Sequence, residues 1–224
     1  MSSQRSAREK PPVPEPLTPL IDAHTHLDAC GAVDADDVRA ILDRAAAAGV
    51  QAVVTIADDL ESAQWAVAAA DWDPRVYAAV ALHPTRANAL TDEARTVIER
   101  LAEHPRVVAI GETGMDMYWP GRLEGCADPA EQRDAFAWHI DLAKRTGKPL
   151  MIHNRDADAD VLVVLRAAAA PESVIFHCFS SDAEMARTCV AAGWLLSLSG
   201  TVSFKNARAL REAAALIPAD QLLV

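Results

Sequence analysis

Short apolar runs alternate with segments of helical period along most of the chain. The runs at residues 52–56, 76–81 and 107–110 are typical, and polar residues follow each of them within a few positions. Their residues are continuously apolar rather than alternating, as expected for parallel strands that are covered on both faces. The pattern therefore predicts an α/β fold built around a parallel sheet.

The number of these segments distinguishes between the possible α/β folds. The predicted strands end near residues 23, 57, 82, 111, 152, 176 and 198, and residues 222–224 begin another. Helices are predicted at 35–48, 60–70, 92–103, 158–169 and 204–216, and after the capping sequences 128–131 and 181–184. Seven β/α units and an eighth strand favour a TIM (β/α)8 barrel over an open doubly wound sheet. The glycine-rich loops that bind nucleotides in open sheets follow none of the strands.

Length and composition set the domain limits. The 224 residues suit one domain. Residues 1–19 hold prolines among polar residues and no apolar run of the signal-peptide type, so we predict a disordered tail there. The barrel is predicted at residues 20–224. Apolar runs of about 18 residues are missing from the sequence, which argues against a transmembrane helix.

The net charge indicates which binding partners are unfavourable, and the cysteines indicate the cellular compartment. A net charge of −11 argues against broad adhesion to nucleic acid or anionic membranes, which normally needs a basic face. A phosphate-bearing substrate stays possible, because divalent cations in a cleft reverse the local charge. The four cysteines are scattered and form no C-x-x-C pair. We therefore expect neither a zinc ribbon nor a disulfide framework, and a cytoplasmic location.

Histidines follow several of the apolar runs. His24 and His26 stand at positions i and i+2 after the first run, so in an extended segment both side chains can face one metal ion. Such a pair alone is more often a surface or packing feature than a ligand pair. However, His83, His153 and His177 directly follow later runs. Because the C-terminal ends of barrel strands converge on one mouth, these histidines are predicted to meet there.

Glu112 follows the fourth apolar run and adds a carboxylate to this set. A carboxylate has two oxygens and can bridge two ions, whereas each imidazole offers one nitrogen to one ion. The donor inventory therefore suits two divalent cations, Mg, Mn or Zn, with water or hydroxide between them as the nucleophile. The predicted ligands are His24, His26, Glu112, His153 and His177.

Other polar residues near these runs are interpreted one by one. His83 is interpreted as a group that contacts substrate or transfers a proton, with loop packing as an equal alternative. Arg155 could clamp a phosphate, although a salt bridge is the ordinary fate of such an arginine. Asp116 is interpreted as structural. His104 and His139 lie away from the strand ends and are interpreted as surface or packing residues.

Five motifs together identify the chain as similar to a known family, the TatD family of metal-dependent hydrolases. They are IDAHTH at residues 21–26, ALHP at 81–84, IGETGMD at 110–116, IHNR at 152–155 and HCFS at 177–180. The resemblance implies a two-metal phosphodiesterase, with DNases and 3′-to-5′ exonucleases among the members. It also implies that His24 and His26 hold one ion, that His153 and His177 hold the other, and that Glu112 bridges them.

The sequence departs from the family pattern at its end. In the family an aspartate ligand follows the eighth strand in a Glu-Thr-Asp stretch, whereas this sequence stops at Val224. We therefore expect a barrel that lacks the end of strand 8, the last helix and that aspartate, with weak or no hydrolysis and with self-association through exposed edges.

Three functions remain open from the sequence. The leading one is a metal-dependent DNase acting on DNA ends or single strands, with no membrane association and no stable protein partner. An amidohydrolase acting on cyclic amides or esters shares the histidine pattern, but such sites commonly place a modified lysine where this chain has Glu112. The third is a non-catalytic protein that only binds metal.

Overall fold

A parallel sheet of eight strands forms the centre of the molecule. The computed structural model describes Glu15 and residues 19–223, so most of the tail predicted at residues 1–19 lies outside the described residues, as does Val224. The strands pair in chain order, each parallel to the next. They are β1 (Leu20–Thr25), β2 (Val50–Ile56), β3 (Val76–Val80), β4 (Val107–Asp116), β5 (Leu150–Arg155), β6 (Val174–Phe176), β7 (Leu195–Ser197) and β8 (Leu222–Leu223).

Seven helices connect these strands within residues 19–223. They are α1 (Ala35–Ala47), α2 (Leu60–Trp72), α3 (Asp92–Ala102), α4 (Pro129–Thr146), α5 (Asp158–Ala167), α6 (Ala183–Ala191) and α7 (Arg208–Ala214). Regular alternation of strand and helix produces a nearly closed barrel, and the predicted TIM-type (β/α)8 architecture is confirmed. Short 3-10 helices lie at Pro84–Ala89, Gly200–Ser203 and Ala219–Gln221.

Local sequence explains where several helices begin. The Asp128 side chain accepts backbone hydrogen bonds from the first turn of α4, and the Glu131 side chain caps the Asp128 N–H in return, as the capping sequence predicts. In α6 the cap is Asp182 rather than Ser181. The Ser181 hydroxyl instead donates to Asp158 at 2.6 Å, so the predicted capping box is displaced by one residue.

Side chains on the two faces of the strands belong to two different cores. Val76, Ala78 and Val80 of β3 belong to the large core that also contains buried residues of the helices. The intervening Ala79 instead packs with Met151 in a small separate cluster. Because successive strand residues point to opposite faces, this small cluster fills the barrel interior. It forms the floor on which the polar residues of the mouth rest.

The helices contain no candidate for a bilayer span. Within residues 19–223, none of them combines sufficient length with sufficient apolar character.

Candidate metal centre

The ends of four strands bring the five predicted ligands into one cluster. The Nε2 atoms of His24 and His26, at the end of β1, lie 3.3 Å apart. The rings of His24 and His177 stack with 3.2 Å between their centroids. On the other side of the cluster, His153 Nδ1 lies 2.6 Å from Glu112 Oε1. The convergence predicted from the strand-end positions is thus what the barrel produces.

Glu112 lies at the centre of this cluster. Its carboxylate is buried, with only 4% of the residue exposed. One oxygen, Oε1, faces His153, and the other, Oε2, lies 3.2 Å from His24 Nε2. Each oxygen therefore serves a different side of the cluster, which is the arrangement that a carboxylate bridging two cations requires. The donor set, imidazole nitrogens and carboxylate oxygens, fits divalent metal ions.

Three groups of possible ligand atoms share this carboxylate. Within each group the ligand atoms lie no more than 4.8 Å apart. The groups are His24 with Glu112 and His177, His83 with Glu112 and His153, and His26 with Asp58 and Glu112. His177 therefore lies with His24 and not in a group with His153, so the division of ligands that the family resemblance implies stays a prediction.

Two glycines allow β5 to approach Glu112 closely. A Cβ atom on Gly114 would lie 2.1 Å from the His153 carbonyl oxygen. Gly114 also has a φ of +139°, which residues other than glycine rarely adopt. A Cβ atom on Gly111 would lie 2.5 Å from Met151 Cβ. The glycines on either side of Glu112 thus let the carboxylate and His153 meet.

Asp116 takes part in the cluster, whereas the sequence suggested only a structural role. Its Oδ1 accepts hydrogen bonds from the backbone N–H groups of Tyr118 and Trp119, which is structural. Its Oδ2 lies 3.0 Å from His153 Nε2. The sequence interpretation was incomplete because β4 extends to Asp116 instead of ending near residue 111. His153 is therefore held between two carboxylates.

These contacts change the charges of the central groups. Burial lowers the pKa of His153, but the hydrogen bonds to Asp116 and Glu112 outweigh burial and raise this pKa to about 9. For Glu112, burial raises the pKa, and the hydrogen bonds with His153 and His24 outweigh it and hold the pKa well below the ordinary value. The carboxylate of Glu112 is consequently ionised, as a metal ligand must be.

Two other histidines are held in the neutral form. Burial, together with the neighbouring His153, lowers the pKa of His83 to about 4. Burial and the neighbouring His24 lower the pKa of His177 to about 4 in the same way. A neutral imidazole is the form that binds metal ions, so His177 needs no deprotonation near neutral pH.

His83 lies closer to the cluster than the sequence suggested. Its Nε2 is 3.2 Å from His153 Nδ1, and its Nδ1 accepts a hydrogen bond from the Thr85 backbone N–H at 3.3 Å. His83 also caps the 3-10 helix that begins at Pro84, an element that the sequence did not predict. Its ring is therefore fixed on one side and faces the cluster on the other.

Arg155, the predicted phosphate clamp, is exposed at the edge of the mouth. Its guanidinium lies 3.9 Å from the centre of the Tyr118 ring. Among the described residues no carboxylate lies within salt-bridge distance of Arg155, so the alternative of an ordinary ion pair is not observed. His104 and His139 lie elsewhere, His104 3.4 Å from Asp71 and His139 fully buried, as their positions in the sequence predict.

Asp58 was missed by the sequence reasoning. It follows the end of β2, and its Oδ2 lies 3.9 Å from His26 Nδ1. Burial raises the pKa of Asp58, and His26 partly offsets the effect. Its position directly after an apolar run was the available signal, the same signal that selected the histidines.

Comparisons with known sequences find a matching family and several relatives. The sequence model of a family described as TatD related DNase matches residues 21–224. An uncharacterized metal-dependent hydrolase TatD from Mycobacterium tuberculosis is 77% identical over 205 residues, covering 92% of this chain and 78% of that protein. A 3′-5′ ssDNA/RNA exonuclease TatD from Cronobacter turicensis is 34% identical over 187 residues, covering 82% and 69%.

A solved structure gives the corresponding match in three dimensions. YjjV, a TatD homologue from Escherichia coli, superposes with a TM-score of 0.80 at 28% sequence identity. The superposition covers 91% of this chain and 77% of YjjV.

Proposed function

The chain belongs to the TatD family of metal-dependent hydrolases, and we propose that it hydrolyses phosphodiester bonds at the ends of single-stranded DNA with two divalent cations. The cations would be Mg, Mn or Zn. The observation that carries the proposal is the buried Glu112 carboxylate, whose two oxygens face His153 and His24 on opposite sides. This geometry suits one bridging ligand shared by two ions.

The proposal assigns each side chain a task. His24, His26 and His177 would hold cations together with Glu112. His153 would do so on the other side after releasing its second proton, since its pKa is raised to about 9. Bound divalent cations supply positive charge, which lowers the pKa of a water molecule and offsets the charge of a phosphodiester. Asp116 orients His153 through the contact at Nε2, as carboxylates beside ligating histidines commonly do.

His83 is suited to act on the substrate itself. Its Nδ1 contacts Thr85, and its Nε2 faces the cluster. In the tautomer with its proton on Nε2, the ring can donate a hydrogen bond to a phosphate oxygen. Arg155 is exposed, and its N–H groups can pair with a second phosphate oxygen.

Two further observations support the proposed substrate class. A relative that is 34% identical is named as a 3′-5′ ssDNA/RNA exonuclease. The chain carries a net charge of −11, and its sequence shows no basic stripe that could hold a long duplex through many phosphate contacts. Accessible ends and single strands, which need few contacts, are therefore the substrates that we propose.

Hydrolysis of labelled DNA tests this function. Protein stripped with EDTA should be inactive, and added Mn²⁺ or Mg²⁺ should restore stepwise shortening of a 5′-labelled single strand from its 3′ end. Linear DNA should be degraded much faster than closed circular duplex. Activity that persists in EDTA, or equal rates on closed circular and linear DNA, would contradict the proposal. A matched control is His104→Gln, which changes a histidine outside the cluster and should retain activity.

The cellular location and the protein partners of the chain stay predictions. The four cysteines are free, in agreement with the absence of a disulfide framework expected from the sequence. The cytoplasmic location and the lack of a stable protein partner are expectations from composition and spacing, and fractionation and native mass measurement would test them.

A further inference from the structure

Two aromatic rings and two arginines form a compact group at the edge of the mouth. We call it the aromatic–arginine cluster: Tyr118, Trp119, Arg122 and Arg155. The Arg155 guanidinium lies 3.9 Å from the centre of the Tyr118 ring and 5.5 Å from that of Trp119. Arg122 lies 4.7 Å from the Tyr118 ring, and the two aromatic rings meet edge to face at 5.0 Å.

Asp116 joins this cluster to the metal centre. Its Oδ1 accepts from the backbone N–H groups of Tyr118 and Trp119 at 2.8 and 2.9 Å, while its Oδ2 faces His153 Nε2 at 3.0 Å. Arg155 follows His153 by two residues on β5, so the two side chains leave the same face of the strand. The cluster therefore begins one side chain away from the predicted ligands.

The two arginines of the cluster are not paired with carboxylates, in contrast to some other surface arginines of this chain. Arg145, for example, lies 2.8 Å from Glu99 and 2.7 Å from Asp141. In the described part of the chain, neither Arg122 nor Arg155 has a carboxylate within 4.0 Å. Their positive charge lies against aromatic faces and is not neutralised, although the whole chain carries −11.

Aromatic rings and guanidinium planes are the groups on which unpaired nucleobases stack. An arginine that stacks through its plane still has N–H donors at its rim for a phosphate. Tyr118 and Trp119 are both half-buried, so each keeps part of its surface accessible to solvent. A single strand whose terminal phosphodiester reached Glu112 would bring its adjacent base beside this surface.

From this arrangement we propose that the aromatic–arginine cluster is a nucleobase subsite, which stacks one unpaired base while Arg155 pairs with the phosphate beside it. The inference rests on the proposed function and adds to it the part of the substrate that is recognised. It predicts that the bases, and not only the phosphates, contribute to productive binding.

Oligonucleotides that lack bases separate the two contributions. A 5′-fluorescein-labelled dT8 would be compared with the same oligonucleotide in which tetrahydrofuran replaces the two 3′-terminal nucleosides, so that the phosphates remain and the bases are gone. The wild-type protein with Mn²⁺ should show a kcat/KM roughly 5- to 100-fold higher on dT8, the range that stacking of one base supports. A matching oligo-U pair would show whether RNA can supply the base as well.

Variants then assign the preference to the cluster. Trp119→Ala and Tyr118→Ala should bring the ratio of the two kcat/KM values towards one, and Tyr118→Phe should keep it. Arg155→Ala should weaken binding of both oligonucleotides, because both retain the phosphates. Trp72→Ala, which removes an exposed ring on α2, is the matched control and should leave the ratio unchanged.

Two results would overturn the subsite. One is a wild-type ratio near one, and the other is an equal loss on both oligonucleotides in Trp119→Ala and Tyr118→Ala, which a purely structural role predicts. If the wild-type protein cleaved neither oligonucleotide, the proposed function would fail, and fluorescein anisotropy would decide the subsite separately. Tighter binding of dT8 that depends on Trp119 would support the subsite, and equal binding would refute it.

Discussion

Replacing the buried His139 by glutamine should remove part of the dependence of the unfolding free energy on pH. His139 lies in α4 with 0% of its surface exposed. Its Nε2 accepts a hydrogen bond from the Leu82 N–H, and its Nδ1 lies 2.8 Å from the Ala135 carbonyl oxygen. The neutral ring with its proton on Nδ1 satisfies both contacts. A second proton on Nε2 would displace the bond from Leu82, a residue adjacent to His83.

The size of the expected change in unfolding free energy follows from the pKa of His139. Burial lowers the pKa of His139 from 6.5 to about 4, so between these values the unfolded chain binds more protons than the folded chain. The contribution of His139 to stability is therefore present above pH 6.5 and is lost as the pH falls towards 4. Between pH 7.5 and pH 5.0 the loss amounts to about 2 kcal/mol, since each pKa unit corresponds to about 1.4 kcal/mol.

Urea unfolding at the two pH values measures this contribution of His139 to the unfolding free energy. Experiments in EDTA keep metal binding out of the comparison. The free energy of unfolding of the wild type should fall by about 2 kcal/mol more than that of His139→Gln between pH 7.5 and 5.0, because other titrating groups are common to both proteins. His104→Gln, which removes a half-exposed histidine, should retain the wild-type difference. Identical pH dependence in the wild type and His139→Gln would refute the reasoning.

Two substitutions test local features of the fold. Gly114→Ala would place a Cβ atom 2.1 Å from the His153 carbonyl oxygen, so it should lower the unfolding free energy by at least about 2 kcal/mol and reduce hydrolysis. The control is Gly121→Ala, which is also at positive φ but has open space, and it should show only the smaller backbone effect. Asp128→Ala removes the capping box shared with Glu131 and should lower the unfolding free energy by about 1 kcal/mol, with hydrolysis unchanged. Urea midpoints and initial rates on single-stranded DNA measure both, and an unchanged Gly114→Ala protein would contradict the first.

Much of the fold could be predicted because apolar runs and capping residues are local signals. Each of the eight strands of the described sheet lies at its predicted run, although β4 and β5 extend beyond their predicted ends, and α4 begins at the predicted cap. The helix predicted at residues 204–216 is shorter, at Arg208–Ala214. The turn before it instead provides the Phe204 carbonyl oxygen to which the Arg211 side chain donates. That contact depends on tertiary position and leaves no periodic signal.

The site was only partly predictable for a related reason. His24, His26 and Glu112 could be found because each follows an apolar run. The part played by Asp116 depends on a strand that continues past two glycines, which in a sequence suggest a strand end. The distance from Asp58 to His26 depends on how β1 and β2 are placed in register, and the sequence alone does not specify this register.

Metal content is the most direct test of the bridging carboxylate. Equilibrium dialysis against Mn²⁺ or Zn²⁺, followed by elemental analysis, should give two ions per wild-type chain. Glu112→Gln should keep the circular dichroism spectrum of the folded barrel and lose occupancy of both ions, because the amide offers one neutral oxygen in place of two charged ones. Glu99→Gln, which changes an exposed carboxylate paired with Arg145, is the matched control and should bind two ions. Full two-ion content in folded Glu112→Gln would contradict the role of Glu112 as the bridge.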